Sequence, residues 1–396
     1  MSAVQIVSKA DVGVAYLQVT TAENTEVKRA PGLILTQEDI ISIKLYVKYG
    51  LSLPTKDMEV ISYLGYREVG IAGLEPTDIK ILFEAIKANA AKWDPLETDI
   101  KQQSISLDIF ADRITATGQN IISAITGMPV IEQVRRKIGT IENLQDINPD
   151  IKIPFSQEDG EISYALKGLL EIIKKDVTEQ KNSTTAIKDR IKDFRTGIAT
   201  KIEPEVAAKK ELIKTSTLAS KNARLRSEIS ENSGRIEQLK KDYDKNLGLC
   251  FVGAPLGGLG LVITGGFFGE KAEKARKDRN QLIEENAKLV ETLSTGESVE
   301  KAVLILRDKL FDVQTRLIEA ENACVHLEFV WNTMLANIEA SLTAFNNVNE
   351  GISLILFKTE FGRIVDPWNK VKDYSTKLIV LFDEALDVYK QTQGLQ

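Results

Sequence analysis

The sequence predicts an all-α protein: an elongated multi-helix bundle from which a long antiparallel coiled-coil hairpin projects, ending in a hydrophobic, membrane-contacting tip. Three observations carry this expectation. Val303, Leu306, Leu310, Val313, Leu317, Ala320, Cys324, Leu327, Trp331, Met334 and Ile338 step by three and four residues with no polar interruption, which is the spacing of one helix face. In a chain that is 43% apolar, a chosen register does this by chance roughly once in 10⁴ tries. A narrower stripe, Leu218, Leu225, Ile229, Asn232, Ile236, Leu239 and Tyr243, is repeated at Leu282, Asn286, Leu289 and Leu293, as in a two-stranded coiled coil. Between the two stripes lies LGLCFVGAPLGGLGLVITGGFFG, residues 247–269, with no charged side chain.

Taken in order, residues up to Thr36 alternate irregularly around the Pro31-Gly32 turn and read as a loosely structured start. Thr36 to Asp39 resembles a helix cap, and Ile40, Ile41, Ile43, Leu45 and Val47 follow as a short buried helix ended by Gly50 and Pro54. Pro76 to Asp78 opens a long helix through Ile79, Leu82, Phe83, Ile86, Ala90 and Trp93, which is expected to run through Pro95 with a kink as far as Met128-Pro129. A second stretch covers Val130 to Leu144 and stops at Asn148-Pro149-Asp150. A third starts near Asp159 and runs to Ile202, where Pro204 removes one backbone hydrogen bond and predicts a bend. If 205–246 is a single helix it is about 60 Å long, which puts the apolar segment at the end farthest from the bundle. A second row beside the long seam, Leu304, Phe311, Ile318, Val325, Val330 and Leu335, widens the stripe enough for a bundle of several helices. Asp366-Pro367 opens a last helix through Leu378, Leu381, Phe382, Leu386 and Tyr389. The domain division that follows is a bundle of residues 1–204 plus 297–396, and a coiled-coil neck and head of 205–296 with its apolar tip at 247–269.

Composition excludes several function classes. A net charge of −6 argues against nucleic acid as a partner, since phosphate-backbone binders carry a basic face. One histidine, His326, and two cysteines, Cys250 and Cys324, cannot build a His/Cys metal site. No convergent acid, base and nucleophile set suggests an enzyme, and no cofactor is implied. His326 reads as a bundle-edge histidine. The two cysteines are expected tens of ångströms apart, too far for a disulfide. No basic n-region precedes an apolar run at the start, so no secretory signal peptide is expected.

The uncharged segment is where function concentrates, because an exposed apolar stretch marks a contact with lipid or protein. Its eight glycines and Pro255 oppose a continuous spanning helix. Lysines flank both sides, Lys240, Lys241 and Lys245 before it and Lys271, Lys274 and Lys277 after it, together with Arg276. Matched basic flanks keep both ends on one side of a bilayer. The expected arrangement is a one-sided, interfacial or re-entrant loop. Leu247, Leu249, Phe251, Val252, Leu256, Leu259, Leu261, Val262, Ile263, Phe267 and Phe268 would enter the lipid, while Lys241, Lys245, Lys271 and Lys274 would meet headgroups. Pro204, Gly257, Gly258 and Gly296 are candidate hinges. The other readings of the segment are a loop buried on the bundle, a protein interface and a single-pass anchor. The charged run Glu270 to Arg279 reads as a solvated helix face.

A helical body, a long coiled hairpin and an apolar tip resemble the cytolysin A type of α-helical pore-forming toxin. More specifically, PGLILTQEDIISIKLYVKYGLSLP from Pro31 to Pro54, GIAGLEP from Gly70 to Pro76, and Trp93 resemble the A component of the alpha-xenorhabdolysin family of bacterial binary cytotoxins. The resemblance implies a toxin subunit released without a recognisable signal peptide and acting at the host cell membrane. It further implies a monomer in solution that binds the target bilayer, pairs with a smaller B component and assembles into an oligomeric lytic pore, with no catalytic residues. A single-component pore former and a coiled-coil scaffold whose apolar loop docks a protein partner are the alternatives.

Overall fold

A computed structural model of the chain describes residues 5–7, 12–21, 31–138, 152–215, 223–250, 261–263, 270–291 and 298–392. The long axis of the bundle is an antiparallel pair, α7 (Gln157–Gly197) and α11 (Ser298–Asn346), the latter about 74 Å long at 1.5 Å per residue. Cross-contacts fix their register. Lys188 meets Glu328 at 2.6 Å, the Trp331 indole N–H donates to Thr184 Oγ1 at 3.0 Å, and Lys174 meets Glu339 at 3.3 Å. Of the predicted α11 seam, Cys324, Leu327, Trp331, Met334 and Ile338 are buried. Val303, Leu306, Leu310, Val313, Leu317 and Ala320 have side chains outside the described residues. In the second row Val330 is buried, but Val325 is exposed, so the stripe there is narrower than expected.

Capping sets where the helices begin. In α2 (Gln37–Ser52), Thr36 and Asp39 form the reciprocal capping box that the sequence suggested. Ser156 and Asp159 do the same for α7, and Asp159 Oδ1 also accepts from the Val130 amide at 3.0 Å. That bond ties the start of α7 to α6 (Pro129–Ile138). The GIAGLEP loop is organised by two carboxylates. Glu75 accepts from the amides of Val69 and Gly70, and Asp78 accepts from those of Gly73 and Glu75, drawing the loop onto the first turn of α4 (Pro76–Ala90).

Several expectations need correction. The start of the chain is structured: α1 (Val12–Thr20) buries Tyr16 and Leu17, and the Tyr16 hydroxyl donates to the carbonyls of Leu33 and Ala323. The long helix from Pro76 is two helices, α4 and α5 (Trp93–Thr126), separated at Ala91 and Lys92. Pro95 causes no kink because it lies in the first turn of α5, where its missing N–H has no helical partner to lose. The second stretch is helical to Ile138, and its continuation to Leu144 lies outside the described residues. Before Pro204 the chain forms a π-turn, Ile198–Ile202, and continues as α8 (Glu203–Thr215). A π-turn shifts the hydrogen-bond ladder by one residue, and this is how the helix accommodates the proline. Within 205–246 the structure describes α8 to Thr215 and α9 (Ala223–Cys250), and residues 216–222, on which a single helix would depend, lie outside the described residues. Finally, α12 (Gly351–Val365) precedes the expected last helix, α13 (Trp368–Thr392).

The bundle closes by packing α5 between α7 and α13, and α12 against α5 and α6. An aromatic cluster sits at the centre. Trp331 stacks on Trp368 at 6.0 Å between ring centroids, and Phe110 meets both edge-on at 5.2 and 5.1 Å. Around Phe194 a polar chain crosses the core: the Tyr46 hydroxyl donates to Asn89, whose amide donates to the Phe194 carbonyl at 3.1 Å. Burial pushes the Tyr46 phenol well above its ordinary range, so it stays a neutral donor.

Val365 of α12 packs on Gly118 of α5, and a Cβ there would lie 2.5 Å from Val365 Cγ1. Gly118→Ala is therefore expected to lower stability by about 1–2 kcal/mol, overpacking outweighing the helix propensity gained. The shift of the urea unfolding midpoint, with unchanged slope, measures it.

Candidate functional site: the coiled hairpin and its seat on the bundle

The hairpin consists of α9 and α10 (Glu270–Glu291), packed on each other. Ala275 contacts Leu239, and Asn286 Nδ2 donates to Ser233 Oγ at 3.5 Å, so the two helices run antiparallel as the repeated stripes predict. Ile229, Ile236 and Leu282 are buried in their seam. The polar seam residue on α9 is Ser233, while Asn232 is only half-buried, a shift of one position from the expected register.

The direction of the hairpin differs from the expectation. The expected extended arm places the apolar segment farthest from the bundle, yet three observations put this end of the hairpin against the bundle. Ala275 packs on Ile318 of α11. The Arg276 guanidinium donates to Glu38 at 3.1 Å and lies 3.6 Å from Asp39, both at the start of α2, and Asn280 donates to Glu38 at 2.5 Å. The strand β2 (Leu261–Ile263), inside the apolar segment, pairs antiparallel with β1 (Gln5–Val7) in the register Gln5 to Ile263, Ile6 to Val262 and Val7 to Leu261. The hairpin thus packs its α10 side against α11 and the start of α2. The sequence could not reveal this, because helical periodicity says which face of α10 is covered but not which element covers it.

At this seat the reading of Glu270 to Arg279 as a solvated face holds for Lys274, Lys277 and Asp278, which are exposed, and fails for the two arginines. Arg276 is 1% and Arg279 0% exposed, and Asp39 is 0% exposed. A fully buried guanidinium needs a carboxylate partner to offset the loss of hydration. Asp39 and Glu38 fill that role, while Asp39 also accepts from the Thr36 amide at 2.9 Å. One carboxylate therefore caps α2 and faces the hairpin. Charge alternation in sequence hides such a pairing, since the partner of Arg276 is 237 positions away.

Of the predicted lipid-contacting residues, Leu247 and Leu249 fall at the end of α9 and Leu261, Val262 and Ile263 form β2. Phe251, Val252, Leu256, Leu259, Phe267 and Phe268, with the hinges Gly257, Gly258 and Gly296, lie outside the described residues. Lys241 and Lys274 are exposed, Lys245 is in α9 and Lys271 in α10. Pro204 is exposed at the second position of α8. Cys324 is fully buried in α11. Among the described residues no helix is long and apolar enough to cross a membrane, and no group of three or more His, Cys, Asp or Glu could hold a metal.

A helical bundle with a coiled hairpin carrying an uncharged segment defines the class of α-helical pore-forming toxin subunits. Comparison with known proteins agrees. YaxA from Yersinia enterocolitica is 38% identical over 91% of this chain and 100% of its own, with a TM-score of 0.51. XaxA from Xenorhabdus nematophila is 32% identical over 91% of this chain and 99% of its own, with a TM-score of 0.49. A chain of the YaxAB pore complex is 38% identical over 90% of this chain and 99% of its own, with a TM-score of 0.49. No protein-family model and no curated protein sequence matches. The chain belongs to the A components of the alpha-xenorhabdolysin family of binary cytotoxins.

Proposed function

We propose that the chain is secreted, binds a host cell bilayer through residues 247–269, and joins a B component in an oligomeric lytic pore. The observation that carries the membrane step is the segment itself: 23 residues without a charge, set between two charged helices and flanked by lysines on both sides. In water such a stretch exposes apolar area, and an interface of acyl chains and anionic headgroups complements both its apolar centre and its basic margins. The pairing with a B component is supported by the 38% identity to a chain of the YaxAB pore complex.

Phe267→Asp with Phe268→Asp is expected to reduce co-sedimentation with lipid vesicles at least about 100-fold. Two buried phenylalanine side chains contribute about 3 kcal/mol or more between them, before the cost of the carboxylates. Unchanged sedimentation would remove the segment from the mechanism. Dye release from vesicles is expected only when a B component is added; release by this chain alone would make it a single-component pore former.

A further inference from the structure

Near its start, α7 carries an exposed row that the bundle does not use. Gly160, Tyr164, Gly168 and Ile172 stand four residues apart and all four are exposed, so they follow one another along the outer face of the helix. Tyr164 is 83% exposed, the most of any large hydrophobic side chain among the described residues, and Ile172 is 46% exposed. The two glycines cost α7 about 1 kcal/mol each in helix propensity relative to alanine. Elsewhere such glycines have a packing reason: a Cβ at Gly118 would strike Val365, and one at Gly351 would strike Val134. A Cβ at Gly160 or Gly168 would meet nothing within 4 Å, so no contact among the described residues requires glycine at either. The row also stands apart from the hairpin. It lies beyond Lys174, which meets Glu339 of α11, whereas the hairpin packs on Ile318 of that helix, about 30 Å away at helical rise.

We propose that this row docks a second copy of the chain, the two α7 helices crossing antiparallel about a two-fold axis between Tyr164 and Gly168. What selects a second copy is the order of the row, small, large, small, large, which is complementary to itself under that axis. Gly160 comes opposite the partner subunit's Ile172, and Tyr164 opposite the partner subunit's Gly168. Symmetry then repeats both contacts with the roles exchanged. Each large side chain enters the gap left by a missing Cβ, so the helices approach closely and two exposed apolar side chains per copy leave water. A shift of the axis by one step of four residues sets large against large, which fixes the register. A single helix crossing is smaller than the ~1,200 Å² at which stable interfaces begin, so the pairing belongs at about 10 μM or weaker and leaves the chain monomeric when dilute.

The pairing is independent of the membrane reading above and is tested without lipid, by sedimentation equilibrium of the full chain up to about 100 μM. A monomer–dimer equilibrium is expected. Gly168→Tyr sets tyrosine against tyrosine across the axis and should weaken the dimer at least about tenfold. Tyr164→Gly added to Gly168→Tyr exchanges the two positions and keeps small opposite large, so the double variant should return to within about threefold of the unaltered chain. All these substitutions are at exposed positions, and circular dichroism checks that helix content is unchanged. A chain that stays monomeric at the highest concentration, or a double variant as weak as Gly168→Tyr, overturns the proposal. So does a row that binds the B component and not a second copy: no dimer forms, and Gly168→Tyr lowers sedimentation with that component.

Discussion

Trp331→Ala is expected to destabilise the bundle by about 4 kcal/mol, the cost of a buried tryptophan truncated in a core that cannot collapse around the void. Trp331 is 0% exposed, stacked on Trp368 and edge-on to Phe110, with its indole N–H on Thr184. Its removal deletes aromatic area from three helices, α5, α11 and α13, and leaves the buried Thr184 hydroxyl without that donor. Trp331→Phe keeps most of the area and should cost clearly less. Urea unfolding followed by far-ultraviolet circular dichroism reads both; a loss for the alanine variant below about 1 kcal/mol would show that the cluster does not hold the bundle together.

The second large effect is expected at Asp39. Its carboxylate accepts from the Thr36 amide and hydroxyl, at 2.9 and 2.7 Å, and lies beside the buried Arg276. Loss of the cap costs about 1 kcal/mol. Leaving a buried guanidinium short of one partner adds to this, toward the roughly 3–5 kcal/mol of a broken buried ion pair, moderated here because Glu38 remains. Asp39→Ala should therefore raise amide hydrogen exchange in two separated segments, the first turn of α2 and the start of α10. Asp39→Asn should restore protection in α2 more than in α10, because an amide oxygen still caps but carries no charge. Equal recovery in both segments would remove the ionic contact from the account.

These two sites show what was legible in the sequence. The α11 seam was readable because a helix face that packs on its neighbours leaves an unbroken three-and-four spacing, and Cys324 to Ile338, with Trp331 among them, are buried on it. The Thr36 box was readable because capping is local in sequence. α12 was not, since GISLILFKTEFGRIV opens with a short apolar run that fits a strand as well as a helix. The seat of the hairpin was hidden for a different reason. Periodicity says which face of a helix is covered but not which element covers it, and the contacts that decide this join Arg276 to Glu38 and Leu261–Ile263 to Gln5–Val7 across most of the chain. The family resemblance was concentrated in residues 31–93, and it is these residues that build α2, the GIAGLEP loop and α4.

The docking of α1 has a consequence for the order in which the molecule is made. Tyr16 donates to the Ala323 carbonyl 307 positions later, and Gln18 reaches the Tyr374 hydroxyl across 356. During synthesis at about 5–20 residues per second, the platform for these early residues does not exist until tens of seconds after they leave the ribosome. The seam between α9 and α10, by contrast, joins two neighbouring helices and needs nothing made after Glu291. Translation therefore produces the hydrophobic segment before the stretch that pairs with it can be brought to it, and this interval is when the nascent chain is most exposed to aggregation and most in need of a chaperone.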